Sequence, residues 1–230
     1  MQIKVAALRR YPVKSMGGEA LDSVALDPRG LVGDRWFAVE DEDGHFASGK
    51  NSRRFRRRDP VFSYSAGTAP SGTVTVTGPG GEWQAMDPAL DDELTAVMGV
   101  GVRIRPEADV PHQDSGSVSL VGTATLAWCA ERWDVDPDPR RLRVNILLTT
   151  DEPFIEEQWI GQDITIGDVV LRGVQRIPRC RMVDIDQDGA RVEGRLLKPL
   201  TREREMCLAV YADVMRTGVL RIGDEVSVSA

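Results

Sequence analysis

Ile164-Thr165-Ile166-Gly167-Asp168-Val169-Val170-Leu171-Arg172-Gly173-Val174 runs toward Ile177-Pro178-Arg179-Cys180-Arg181. The first stretch predicts a β-hairpin, with apolar strands on either side of a Gly-Asp turn. Ile222-Gly223-Asp224 repeats the Ile-Gly-Asp corner near the other end of the chain. Such corners belong to β-barrels. At the end of the hairpin a single cysteine stands between two arginines just after a proline. Guanidinium charges stabilise a thiolate, and proline fixes the approach of the chain and removes a backbone donor, so Cys180 is the candidate nucleophile or soft-metal ligand. The same residues also fit a half-buried cysteine at a strand end whose arginines face water.

At 230 residues the chain is long enough for one large or two small domains. Hydrophobic residues make up 41% and charged ones 28%, the composition of a globular protein, and no apolar run is long enough to span a bilayer. Met1-Gln2-Ile3-Lys4-Val5 reads directly as a strand without a signal peptide's build, so a cytoplasmic protein with no membrane association is expected. Cys129, Cys180 and Cys207 are far apart and form no C-x-x-C, which suggests neither a disulfide framework nor a zinc site. His45 and His112 are the only histidines. They cannot supply a histidine-rich metal site. The formal charge of −7 argues against a whole surface given to nucleic acid. Only four of the 29 basic residues are lysines, a bias that suits phosphate or carboxylate ligands and that a GC-rich genome also produces.

Along the chain, Tyr11-Pro12-Val13-Lys14-Ser15-Met16-Gly17-Gly18 is a glycine-ended loop in which Lys14 and Ser15 form an anion-binding combination. Arg35–Glu40 reads as a strand entering an Asp-Gly hairpin at Asp43-Gly44. Gly44 to Asn51 nearly matches a P-loop, but Asn51 stands where Ser or Thr is needed and no apolar helical stripe follows. Arg53 to Arg58 reads as the solvated rim of a hairpin or as a grip for an anionic partner. Val61 begins a short strand and Thr73–Thr77 forms another. Asp87-Pro88 opens a helix that Gly99 ends. A boundary near 110 divides the chain into 1–110 and 111–230. Thr123 caps a helix to Trp133 with Cys129 on its core face. Arg140–Leu148 reads as a strand that places Arg143 and Asn145 on one polar face as a recognition pair. A short helix is expected over Pro153–Trp159. Asp184 to Gly189 begins like a calcium loop, but Arg195 occupies the position that needs a bidentate glutamate, leaving a hairpin turn. Met206–Val214 alternates as a strand. The fold class is mainly β with a few short helices (α+β).

Five short motifs then carry a resemblance in order along almost the whole chain. They are Tyr-Pro-Val-Lys-Ser at 11–15, Gly-Asp-Arg-Trp at 33–36, Arg-x-Asn-Ile at 143–146, Arg-Cys at 179–180 and Gly-Val-Leu-Arg-Ile-Gly-Asp at 218–224. This set resembles a MOSC-domain protein with its N-terminal β-barrel companion, and is similar to the amidoxime-reducing component family and its bacterial relatives. The resemblance implies a MOSC β-barrel core over 111–230 and a smaller barrel-like domain over 1–110. It implies molybdenum cofactor (Mo-molybdopterin), with Cys180 as the catalytic metal ligand and Lys14, Ser15, Arg35, Ser115, Arg143, Asn145 and Arg179 as cofactor contacts. Ser115-Gly116-Ser117 departs from the family's Thr-Ser-Pro texture, and Asp184 stands where a threonine is common. The implied reaction is reduction of small N-oxygenated compounds. No aminotransferase-like domain for pyridoxal phosphate and no iron–sulfur cysteine cluster accompany these motifs, so electrons are expected from an external reductase or ferredoxin-like protein. The alternatives are a cofactor carrier or sulfur-transfer module, and a nucleic-acid binder using Arg53 to Arg58.

Overall fold

A computed structural model describes residues 2–229, and the counts below refer to those residues. Its largest sheet has eight strands in the order 226–229, 163–166, 169–178, 207–216, 118–122, 146–149, 4–10 and 19–21. Every neighbouring pair is antiparallel except Val118–Gly122 with Ile146–Thr149. The Val226 amide donates to the Ile3 carbonyl at 2.9 Å, and the Val5 amide to the Asp224 carbonyl at 2.9 Å, so the first long strand also meets the last. The sheet therefore closes on itself, which satisfies edge groups that would otherwise invite another chain.

The hairpin that decides the fold is present: Asp163–Ile166 pairs with Val169–Pro178 across Gly167, whose φ of 56° favours glycine. Ile164, Ile166, Val169 and Leu171 enter the barrel core with Val5, Leu8, Leu120, Ile146 and Val210. At about 25 cal/mol per Å² of apolar area removed from water, such a continuous cluster is the main stabilising term of this half.

A second core lies under two smaller sheets, one of three strands (81–84, 74–78, 65–68) and one of four (102–106, 37–41, 46–48, 55–57), and the helix Pro88–Met98. It contains Val13, Met16, Val39, Phe62, Tyr64, Val76, Leu90 and Ile104, and Met182 and Ile185 from far along the chain pack against it. Asp87 caps that helix by accepting from the Ala89 amide at 2.9 Å, and Gly99 ends it at φ 68°. The chain is thus mainly β with few helices. The division at 110 is one of chain order, because the strands Lys4–Arg10, Glu19–Leu21 and Ser23–Asp27 all pair with or pack on strands of the later half.

Several local expectations differ from the structure, each for a visible reason. Arg140–Leu148 is not one strand: Pro139–Leu142 is a helical turn, Arg143 is left-handed at φ 55°, and the strand is Ile146–Thr149. Asp138 accepts from the Arg140 amide at 2.8 Å and Pro139 sits at the first turn, a start signal that overrides the apolar alternation. Asp59-Pro60 acts likewise, so Asp59–Ser63 is a 3₁₀ turn and the strand begins at Ser65. The helix Thr123–Trp133 is present, but its N-cap is Gly122. Thr123 instead accepts from the Thr150 amide at 3.0 Å. Pro153–Trp159 contracts to a 3₁₀ turn at Ile155–Trp159, and the last long strand is Cys207–Arg216.

Candidate functional site

Cys180 follows the strand Val169–Pro178, where the closed barrel meets the smaller unit. It lines a cleft of about 700 Å³, open mouth included, together with Lys14, Ser15, Arg35, Arg143 and Arg179. Six of the eight sequence-predicted residues therefore converge.

Each cation is fixed by backbone oxygens. Lys14 Nζ donates to the His112 carbonyl at 2.6 Å and to Asp114 Oδ1 at 3.3 Å. Burial pushes its pKa down to about 8 against the opposing pull of Asp114. Arg143 Nη1 donates to the Met16 carbonyl at 2.6 Å, and its guanidinium lies 4.2 Å from the centroid of the buried Tyr11 ring. Arg35 pairs with the buried Asp34 and donates to the Arg143 carbonyl at 3.2 Å. Arg179 Nε and Nη1 donate to the carbonyls of Leu208 and Leu142 at 2.8 and 2.7 Å. Burial lowers Arg143 and Arg179 to about 10 each, so both remain cationic at neutral pH. His112 is pushed down to about 4 by burial and is neutral.

Arg143 Nη2 and Arg179 Nη2 are buried with no hydrogen-bond partner. A buried, charged donor left unpaired is costly unless a ligand completes it. Backbone strain is gathered at the same place. Ser15, Arg35 and Arg143 have φ of 68°, 56° and 55°, a region few side-chain-bearing residues occupy.

Two predicted residues lie elsewhere. Ser115 is exposed and outside the cleft lining, while its neighbour Asp114 lines it. Partial burial opposes ionisation of Asp114, but Lys14, Lys50 and Arg35 prevail and hold its carboxyl at about 2. Asn145 is buried behind the wall. Its Oδ1 accepts from the Ser119 amide and hydroxyl at 3.1 and 2.9 Å, and its Nδ2 donates to the Arg9 carbonyl at 3.2 Å. It positions Ser119, which lines the cleft. The two arginines flanking Cys180 have different partners, since Arg181 forks onto Asp59 at 2.7 and 2.8 Å instead of joining the cleft. Asp184 turns to the protein, accepting from the Leu196 amide at 2.7 Å.

Sequence reasoning missed Asp114, Tyr211 and Arg141. Asp114 lies in a loop whose polar density offered a signal. Tyr211 looked like an ordinary strand residue. Arg141 is fully buried and donates to the Val183 carbonyl at 2.8 Å and the Gly194 carbonyl at 3.2 Å, fixing the segment after Cys180.

Comparison with known families places the chain. The MOSC domain model matches residues 107–227, and the MOSC N-terminal beta barrel domain model matches residues 2–101. The chain belongs to the MOSC family. MOSC relatives include the molybdenum cofactor sulfurase of Danio rerio, 23% identical over 87% of this chain and 31% of that protein. They also include the mitochondrial amidoxime reducing component 2 of Bos taurus, 22% identical over 96% of this chain and 82% of that one. This MOSC chain thus spans under a third of the sulfurase and most of the bovine protein. Among solved structures, the YuaD protein of Bacillus subtilis shares the fold with a TM-score of 0.52 at 13% identity, over 99% of this chain and 96% of that one. The family is associated with molybdenum cofactor binding or sulfuration. No helix among the described residues is long and apolar enough to cross a membrane.

Proposed function

We propose that this MOSC protein binds molybdenum cofactor in the Cys180 cleft and reduces N-hydroxylated small molecules, with electrons from a separate protein. The observation that carries the reading is one cleft holding an accessible thiol beside two buried guanidinium nitrogens that lack partners. The donor set suits the group. Thiolate is a soft ligand for a metal already held by dithiolene sulfurs, and fixed cations suit a phosphate tail. Bound there, the cofactor supplies two-electron redox chemistry.

The chain's own residues then divide the work. Cys180 Sγ would ligate the metal, while Arg143 Nη2, Arg179 Nη2 and Lys14 Nζ would hold anionic oxygen. Arg35 and Asn145 act one step back, Arg35 through the Arg143 carbonyl and Asn145 through Ser119. Because Leu208, Leu142 and Met16 carbonyls already hold the arginines, binding orders few side chains and loses little entropy. The balanced reaction is a hydroxylamine plus two electrons and two protons giving an amine and water.

The test is molybdenum and pterin content after expression in a host that makes the cofactor, with Cys180→Ala in parallel, followed by reduction of a hydroxylaminopurine with a chemical reductant. Stoichiometric pterin and metal in the parent, metal lost in the variant and parent turnover support the reading. Full metal and activity in Cys180→Ala would sink it. A second reading rests on the similarity to the sulfurase. Here the protein carries the cofactor or passes sulfur through a Cys180 persulfide, and it predicts exchangeable cofactor, persulfide by mass spectrometry and no turnover.

A further inference from the structure

In a chain of net charge −7, the segment Lys50–Arg58 concentrates six basic residues. The segment starts at the Cys180 cleft and runs away from it. Lys50 lines the cleft itself. Phe55–Arg57 is the outer strand of its four-stranded sheet, so the segment forms an edge. Arg57 and Arg181 share one carboxylate, Asp59, at 2.9 and 2.7 Å, which ties this edge to the residue next to Cys180. Arg58 has Asp41 at 3.5 Å. Arg54 and Arg56 donate only to carbonyls, of Pro111 and Gln113 and of Ser52 and Phe55, and Arg53 is exposed. Seven cations, Arg181 included, therefore face three carboxylates, Asp59, Asp41 and, beside Lys50, Asp114. Beyond Cys180 lie the exposed Pro178 and Met206, the latter 43% exposed and joined to the cysteine strand by the Arg179 amide donating to the Met206 carbonyl at 2.8 Å.

From this arrangement we infer that the Lys50–Arg58 edge, with Pro178 and Met206, is the docking face for an acidic electron-carrier protein. A positive arc in excess of its carboxylates, beside a small apolar contact, is the pattern by which charged partners are steered and oriented. Lys50 lines the cleft where delivered electrons are usable and Arg181 joins Asp59 beside Cys180, so docking on this edge brings a carrier's redox centre near that cleft. The inference rests on the reductase reading for its purpose, but binding is measurable without turnover.

The probe is an acidic plant-type [2Fe–2S] ferredoxin, titrated calorimetrically into the full chain at about 20 mM and about 300 mM NaCl. Arg53→Glu/Arg56→Glu is compared with Lys198→Glu/Arg202→Glu, which reverses charge on a different groove beside Trp133. The expected result is parent binding that weakens at least about tenfold with salt, a similar loss in the first variant and none in the second. No parent binding at low salt, equal binding by the Arg53/Arg56 variant, or tighter binding of a duplex oligonucleotide than of ferredoxin overturns it. Salt dependence of the parent alone keeps the test alive if a variant misfolds. Molybdenum and pterin content of the same preparations reports separately on the cofactor reading, so the two can fail independently.

Discussion

Arg143 shows how a site residue costs stability and what it gives in return. Its backbone is left-handed, its guanidinium is buried over Tyr11, and one nitrogen has no partner. Replacing it separates these contributions. Both Arg143→Ala and Arg143→Gly lose the bond to Met16 and the ring contact, but only alanine must still hold φ near 55°. The glycine variant should therefore be about 0.5–1 kcal/mol more stable by urea unfolding, and the reverse order would contradict strain at this position. Lys14 adds a pH dependence. Its pKa is lowered by burial to about 8, so the folded protein binds fewer protons than the unfolded chain between there and the ordinary lysine value near 10.5. Stability from this group rises with pH across that window, whereas affinity for an anion falls. Inorganic phosphate should bind the cofactor-free protein several-fold more weakly at pH 9 than at pH 7, and Lys14→Gln should flatten that profile. Cys180 and Lys14 stood out as site candidates from residue type and neighbours, Arg179 also from the family resemblance, and the structure brings all three to one cleft. The left-handed turns at Ser15, Arg35 and Arg143 were not, since no glycine marks them. Arg181 and Asn145 were misplaced because Asp59 and Ser119, the partners that claim them, are distant in sequence.

At the scale of elements, the hairpin 163–178 and the capped helix 88–98 were legible because turn and cap chemistry agreed with the apolar pattern. Where they disagreed, the cap prevailed, as at Asp138-Pro139 and Asp59-Pro60. Inside the long strand, Gly173 meets a constraint that sequence does not display. A Cβ there would stand 2.3 Å from the Trp159 carbonyl oxygen, and the Gly173 amide donates to the Gln162 carbonyl at 3.1 Å. The obstruction is backbone on both sides, so no rotamer relieves it. Gly173→Ala should cost about 1–3 kcal/mol and lower the thermal midpoint, whereas Gly72→Ala, with open space but a left-handed backbone, should cost about 1 kcal/mol or less. Equal midpoints would mean that the strand shifts freely past the Ile155–Trp159 turn. Such freedom would also loosen Cys180, which the same strand delivers.

The whole molecule is held by exchange between its two halves, which no local pattern could disclose. The first long strand, Lys4–Arg10, belongs to the barrel and pairs with Ile146–Thr149, while Met182 and Ile185 leave the cysteine segment to pack on the other core. Arg9 and the Gly18 amide hold Asp188 of the same later segment, the latter at 3.1 Å. The cleft exists only because both units contribute walls: Lys14, Ser15 and Arg35 from one side of the 110 boundary, and Arg143, Arg179 and Cys180 from the other. Cutting there should leave two fragments that each lack part of a core. Residues 111–230 alone lose the strand beside Ile146 and the bonds from the Val5 amide and to the Ile3 carbonyl that close the barrel, exposing sheet edges. We expect that fragment to be aggregated or molten, with little near-ultraviolet circular dichroism, and to regain a cooperative transition only when co-expressed with 1–110. A soluble 111–230 fragment with native-like tertiary signal would show instead that the barrel closes without its first strand. The shared wall would then be a docked surface, and cofactor affinity should become dependent on the concentration of the 1–110 fragment.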